Sequence, residues 1–260
     1  MARTALLNVM VNAVLKAGRG LARDFGEVEN LQVSLKGPGD FVSAADHRAD
    51  EVLIAELTKA RPAFGFLTEE SGTIEGSDRS HRWIVDPLDG TTNFLHGIPI
   101  FAISLGLERD GQMVAGVIYN PIMNELYVAE KGSGAFLNDR RMRVAARKDL
   151  AAAVIATGNA PMARGDDRYA GELQRAMGRT AGVRRCGSAA IDLAWVASGR
   201  FDGYWHHNLS PWDMAAGLLM VREAGGRVSD RAGGDEIFAT GSVVAGNETM
   251  HRHLLALLAE

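Results

Sequence analysis

The chain has 260 residues, a formal net charge of −4 and 47% hydrophobic residues, enough to bury one large core or two closely joined halves. That charge removes any bulk electrostatic argument for direct nucleic-acid binding, and the single cysteine, Cys186, excludes an intrachain disulfide framework. No apolar run reaches the roughly 18 residues of a membrane span, so a soluble, cytoplasmic protein is the expectation.

At the N-terminus, Arg3 ahead of apolar residues superficially resembles a signal peptide, but Asn8 and Asn12 interrupt the run. Leu6, Met10, Ala13, Val14, Ala17 and Leu21 recur at helical spacing instead, which predicts a packed amphipathic helix. Ser43-Ala44-Ala45-Asp46 has the form of a capping box, and Ala45, Ala49, Val52, Leu53 and Leu57 mark the helix behind it. Strands are predicted over 64–67, 82–85, 100–108, 113–119 and 125–130, with an Asp110-Gly111 hairpin turn and an Asn120-Pro121 turn between them. These form a largely antiparallel sheet. From 153 onward, strands (153–157, 183–185, 201–205, 227–229, 242–245) alternate with helices over 168–180, after Ser188, at Asp213 and at the C-terminus. No linker, repeat or low-complexity segment divides the chain, so 1–260 reads as a single domain with an α+β half (1–145) and an α/β half (146–260).

The most informative run is Asp86-Pro87-Leu88-Asp89-Gly90-Thr91-Thr92. Pro87 cannot extend a ladder, so the strand before it is expected to end there. Gly90 then permits a tight turn, and the amides of Gly90, Thr91 and Thr92 become first donors of a short helix that favours anions. Two aspartates across such a turn can converge on a hard divalent cation while the amides hold a phosphate against it. Glu69-Glu70-Ser71 also follows an apolar strand, and sites in open α/β sheets gather at the strands' carboxyl ends. Asp213 falls in the first turn of a helix, where plain N-capping is the competing role. The absence of a His/Cys cluster argues against zinc.

Five ordered motifs covering nearly the whole chain carry a resemblance to the inositol monophosphatase family of lithium-sensitive, Mg-dependent phosphatases. They are Asp40-Phe41-Val42-Ser43-Ala44-Ala45-Asp46, Glu69-Glu70-Ser71, Trp83 through Phe94, Gly187-Ser188-Ala189-Ala190 and Trp212-Asp213-Met214-Ala215-Ala216-Gly217. The resemblance implies a layered αβαβα sandwich of the inositol monophosphatase/fructose-1,6-bisphosphatase type, a homodimer, and two or three Mg²⁺ per active site. Glu70, Asp86 and the Leu88 carbonyl would hold one ion, and Asp86, Asp89 and Asp213 a second. Glu70 and a Thr91 hydroxyl backed by Asp46 would orient the water nucleophile. A family lysine near the metals maps weakly onto Lys36.

On the substrate side, Gly90, Thr91, Thr92, Gly187, Ser188, Ala189 and Asp213 match the family. His206, however, stands by spacing where inositol phosphatases commonly carry a glutamate. A neutral imidazole offers a donor and an acceptor where a carboxylate only accepts, so polyol recognition must change. The alternative is that His206 merely packs at the pocket edge. The 158–164 loop lacks the aromatic character common in bacterial members. These departures leave catalysis better supported than inositol specificity. Inositol 1-phosphate is the leading substrate because the family resemblance implies it, with other small phosphate monoesters tolerated. Histidinol phosphate, a sugar bisphosphate or a 3'-phosphoadenosine nucleotide remain as alternatives, as does a binding role at the transcription machinery.

Overall fold

The computed structural model describes residues 3–27, 33–37, 40–159 and 167–260. Lys36 falls on a described strand but its side chain does not, and most of the 158–164 loop also lies outside the described residues. The first helix, α1 (Ala5–Phe25), is capped by the Thr4 hydroxyl, which accepts the Leu7 N–H at 3.2 Å. A hairpin, β1 (Val33–Gly37) and β2 (Asp40–Ser43), leads into α2 (Ala44–Ala60).

The next strands build the larger sheet: β3 (Phe64–Thr68), β4 (Gly72–Ile74), β5 (Asp78–Asp89), β6 (Ala102–Arg109), β7 (Gln112–Asn120), β8 (Glu125–Glu130), β9 (Gly134–Leu137) and β10 (Arg140–Arg141). A short helix, α3 (Thr91–Leu95), interrupts the path from β5 to β6. The order across the sheet is β10-β9-β8-β7-β6-β5-β3-β4, antiparallel except where β3 runs parallel to β5. Asp110 and Gly111, both at positive φ, form the tight turn between β6 and β7 that the Asp-Gly pair predicts.

The second sheet comprises β11 (Val154–Asn159), β12 (Gly182–Arg184), β13 (Gly203–His207), β14 (Arg227–Ser229) and β15 (Val243–Gly246), ordered β12-β11-β13-β15-β14. Its helices are α4 (Asp167–Arg179), α5 (Ala189–Ala197), α6 (Pro211–Glu223), α7 (Ile237–Thr240) and α8 (Glu248–Ala259).

Strand alternation sorts these elements into layers. Trp83 and Val85 of β5 pack with α1 and α2, whereas Ile84 between them packs with α5 and α6. On β13, Tyr204 faces that same middle layer, and Trp205 turns to α8 and the outer core. The result is helices, large sheet, helices, small sheet, helices, the αβαβα order expected from the motifs. Close approach of α6 to the large sheet depends on glycine: a Cβ on Gly116 would lie 3.1 Å from the Cα of Ala216. No helix among the described residues is long and apolar enough to cross a membrane.

Candidate metal and phosphate site

β5 does not end at Pro87 as its missing N–H suggested; pairing with β6 resumes at Asp89. Asp86 stands opposite Ser104 and Asp89 opposite Ala102, so β5 carries one extra residue across this interval. A bulge leaves its extra residue out of the ladder, which is where proline is tolerated. The Leu88 N–H donates to Asp86 Oδ1 at 2.9 Å, pinning the bulge. Gly90 follows at φ 97°, where a Cβ would sit 3.0 Å from the Ile100 carbonyl, so only glycine makes this turn into α3 without strain.

The bulge and α6 bring three carboxylates together. Asp86, Asp89 and Asp213 each offer an oxygen within 4.8 Å of the others. Each is also anchored to the scaffold. Asp89 Oδ2 accepts from the Ser188 hydroxyl at 2.5 Å and the Ala190 N–H at 2.7 Å, at the start of α5. Asp213 Oδ2 accepts the Ser210 N–H at 2.7 Å. Ser210 is the N-cap of α6 and Asp213 its N3 partner in a capping box, so Asp213 caps the helix through one oxygen while it also faces Asp86 and Asp89. Thr91 donates its hydroxyl to Asp46 Oδ1 at 3.0 Å and to the Leu88 carbonyl at 3.1 Å, and Asp46 is buried. That arrangement leaves the threonine lone pairs to accept from a water.

The glutamate pair divides differently from the sequence reading. The charge of Glu69, not Glu70, acts on Asp86 and Asp213. Glu70 instead places Oε2 3.6 Å from Nδ1 of His47. Alternation explains this. Leu67 and Ile84 face the middle layer, so Glu69 and Asp86, two residues on, share that side. Thr68 and Ser71 both donate hydroxyls to Asp50 of α2, at 3.4 and 2.5 Å, which fixes the corner. The parity of β3 identifies Glu69 once the face of that strand that meets the middle layer is known.

Electrostatically the cluster concentrates buried negative charge. Burial, then the charges of Glu69, Asp89 and Asp213, pushes the Asp86 carboxyl well above the ordinary carboxylate range. Burial, with Asp89 and Glu69 adding, raises Asp213 likewise. Burial also lifts Asp89 to about 6, against the hydrogen bonds from Ser188, Ala190 and Ala189. The donors are oxygen alone, with no His or Cys in the cluster, so the set fits a hard divalent ion such as Mg²⁺. A raised carboxyl favours the metal-free fold at low pH, and that contribution is lost as pH rises from about 4 through about 6. The melting temperature gained on adding Mg²⁺ is therefore expected to be larger at pH 7.5 than at pH 5, read by differential scanning fluorimetry. An equal gain at both would contradict the assignment.

Of the substrate-side residues, Ser188 and Ala189 are buried at the start of α5, and the Ser188 hydroxyl is already committed to Asp89. They position Asp89. Gly187, at φ 84°, and Thr92 are exposed at the mouth. His206 is half-buried with its ring over Gly158, where a Cβ would come within 2.3 Å of its Cε1. Its Nδ1 lies 2.6 Å from the Tyr204 hydroxyl. Burial, with the nearby charges of His207 and Arg185, lowers His206 to about 3, and burial keeps the Tyr204 phenol protonated. The phenol therefore donates to Nδ1, which leaves Nε2–H as the donor of a neutral ring. Asn93 was not singled out by sequence, yet its Nδ2 donates to the carbonyls of Ile100 (2.6 Å) and Cys186 (2.8 Å), tying the two halves at the site.

Comparison with known proteins agrees with this geometry. Residues 2–260 match the model of the family described as "Inositol monophosphatase family". An inositol-1-monophosphatase of Mesorhizobium japonicum is 64% identical over 256 residues, covering 98% of this chain and 96% of the relative. A Nus factor SuhB of Escherichia coli is 43% identical over 255 residues, covering 96% and 94%. Among solved structures, the extragenic suppressor protein suhB of Bartonella henselae superposes with a TM-score of 0.97 at 59% identity, covering 99% of both chains. The inositol monophosphatase of Anabaena does so at 0.85 and 35%, covering 98% of this chain and 95% of that one.

Proposed function

The chain belongs to the inositol monophosphatase family, and from that premise we propose that it hydrolyses myo-inositol 1-phosphate to inositol and phosphate with Mg²⁺. The observation that carries this reading is the convergence of Asp86, Asp89 and Asp213 beside the Thr91–Asp46 pair. Asp86, Asp89, Asp213, Glu69 and the Leu88 carbonyl would hold two or three ions. Bound there, such ions would offset the charge of the ester dianion and lower the pKa of a coordinated water.

The chain's own residues supply positioning and proton handling. Thr91 accepts a hydrogen bond from the attacking water while donating its own proton to the Asp46 carboxylate, which aligns a water lone pair towards phosphorus. Ser188 and Ala190 hold Asp89, and Ser210 holds Asp213, so the carboxylates are set before substrate arrives. Gly90, Thr91 and Thr92 lie where the phosphate oxygens would meet the amides opening α3. The His206 Nε2–H faces the alcohol as a neutral donor. The homologous Nus factor raises a second, binding role, but the identity of 64% to an inositol-1-monophosphatase against 43% to that protein favours the enzyme. A second copy of the chain is the expected partner.

Phosphate release from a panel of inositol 1-phosphate, histidinol phosphate, fructose 1,6-bisphosphate and 3'-phosphoadenosine 5'-phosphate tests the substrate. Inositol 1-phosphate is expected to give the highest kcat/KM, and another ester turning over faster would reassign the site. At His206, replacement by glutamate presents a carboxylate to vicinal hydroxyls and gives the Tyr204 phenol a new acceptor. Hydrogen bonds to charged groups contribute about 1.5 to 3 kcal/mol, so His206→Glu is expected to shift preference towards inositol 1-phosphate over glycerol 2-phosphate by about tenfold at saturating Mg²⁺. A ratio within about twofold of the wild-type value would place His206 outside the substrate contacts.

A further inference from the structure

On the outer layer, away from the acidic cluster, α1 and α2 frame an open groove of about 540 Å³. That size lies within the range of small-molecule sites. Its rim is cationic. Lys16, Arg19 and Arg23 of α1 stand at i, i+3 and i+7 on one face, and Arg48 of α2 completes the ring; Asp24 and Glu51 are the acids among the lining residues. Asp24 is buried and binds both neighbouring guanidinium groups, Arg23 at 3.2 Å and Arg48 at 2.7 Å. Lys16 pairs with Glu56 at 2.5 Å. No ion pair holds Arg19 among the described residues.

The floor is small and apolar. Ala17 and Ala49 are buried beneath the rim, and a Cβ on Gly20 would meet nothing within 4 Å. Four cations thus gather around the groove, three of them already paired with Glu56 or Asp24, which leaves Arg19 as the rim cation with no ion pair among the described residues. Asp24 pre-sets two of the guanidinium planes, which lowers the entropy cost of presenting them to an anion.

We propose that this groove binds a nucleoside phosphate. Guanidinium groups grip phosphate oxygens bidentately and stack on planar rings, and the Ala17–Gly20–Ala49 floor leaves room for a base. The site is separate from the acidic cluster, whose charge repels phosphate when no divalent ion is bound.

Calorimetric titration of the full chain with ADP in EDTA tests this, with inorganic pyrophosphate as a second ligand. Saturable ADP binding is expected, weakened about tenfold by Arg19→Ala. Gly20→Leu, which fills the open floor and exchanges glycine for a better helix former, is expected to abolish binding without lowering the melting temperature. Both variants should retain wild-type phosphatase activity. Failure of ADP to saturate at millimolar concentration, or equal affinity in wild type and both variants, would overturn the site. Pyrophosphate binding as tightly as ADP would overturn the nucleoside assignment, since the floor would then contribute nothing.

Discussion

Asp213→Asn is expected to lower kcat on inositol 1-phosphate by about a thousandfold, equivalent to about 4 kcal/mol of transition-state stabilisation. Asparagine keeps the volume and can still accept the Ser210 N–H, so α6 retains its cap. What is lost is an anionic oxygen facing Asp86 and Asp89. Without Mg²⁺ the variant is expected to melt no lower than wild type, because a buried like charge has been removed from a cluster where burial and repulsion already raise the carboxyls. Adding Mg²⁺ should stabilise it less. Wild-type turnover at limiting Mg²⁺ would exclude Asp213 from the metal set.

The second large effect separates neighbours in sequence. Glu69→Gln is expected to cut kcat/KM by roughly a hundredfold or more and to raise the Mg²⁺ concentration needed for half activity, since its charge acts directly on Asp86 and Asp213. Glu70→Gln weakens a contact with His47, whose side chain is 58% exposed. Such a pair contributes about 0 to 1 kcal/mol, so a change under about fivefold is expected. The reverse ranking would restore Glu70 as the ligand and overturn the assignment by strand parity.

Much of this site was legible because its chemistry sits in short local runs. The Asp86 to Thr92 loop holds two of the three clustered carboxylates, the Leu88 carbonyl and the Thr91 hydroxyl within seven residues. What escaped was long-range or depended on register. Pro87 marked a break in the ladder, but nothing local distinguishes a strand end from a bulge that resumes at Asp89. Choosing between Glu69 and Glu70 required knowing which face of β3 meets the middle layer. Ser188 matched a substrate motif, yet its hydroxyl serves Asp89, 99 positions away in the chain. The strands β4, β9 and β10 were missed because two to four residues carry too little alternation to show a period. The long amphipathic α1 and the hairpin around Asp110-Gly111 were plain, since repeated spacing and positive-φ chemistry are local signals.

The most direct test is phosphate release from myo-inositol 1-phosphate as Mg²⁺ is titrated into metal-free wild-type enzyme, with Asp86→Asn alongside. Asp86 is the most deeply buried carboxylate of the cluster. The expected result is no turnover in EDTA, saturable recovery with Mg²⁺ in wild type, and no recovery in Asp86→Asn at any concentration at which the wild type saturates. Turnover that persists in EDTA, or an Asp86→Asn enzyme that matches wild type, would contradict it.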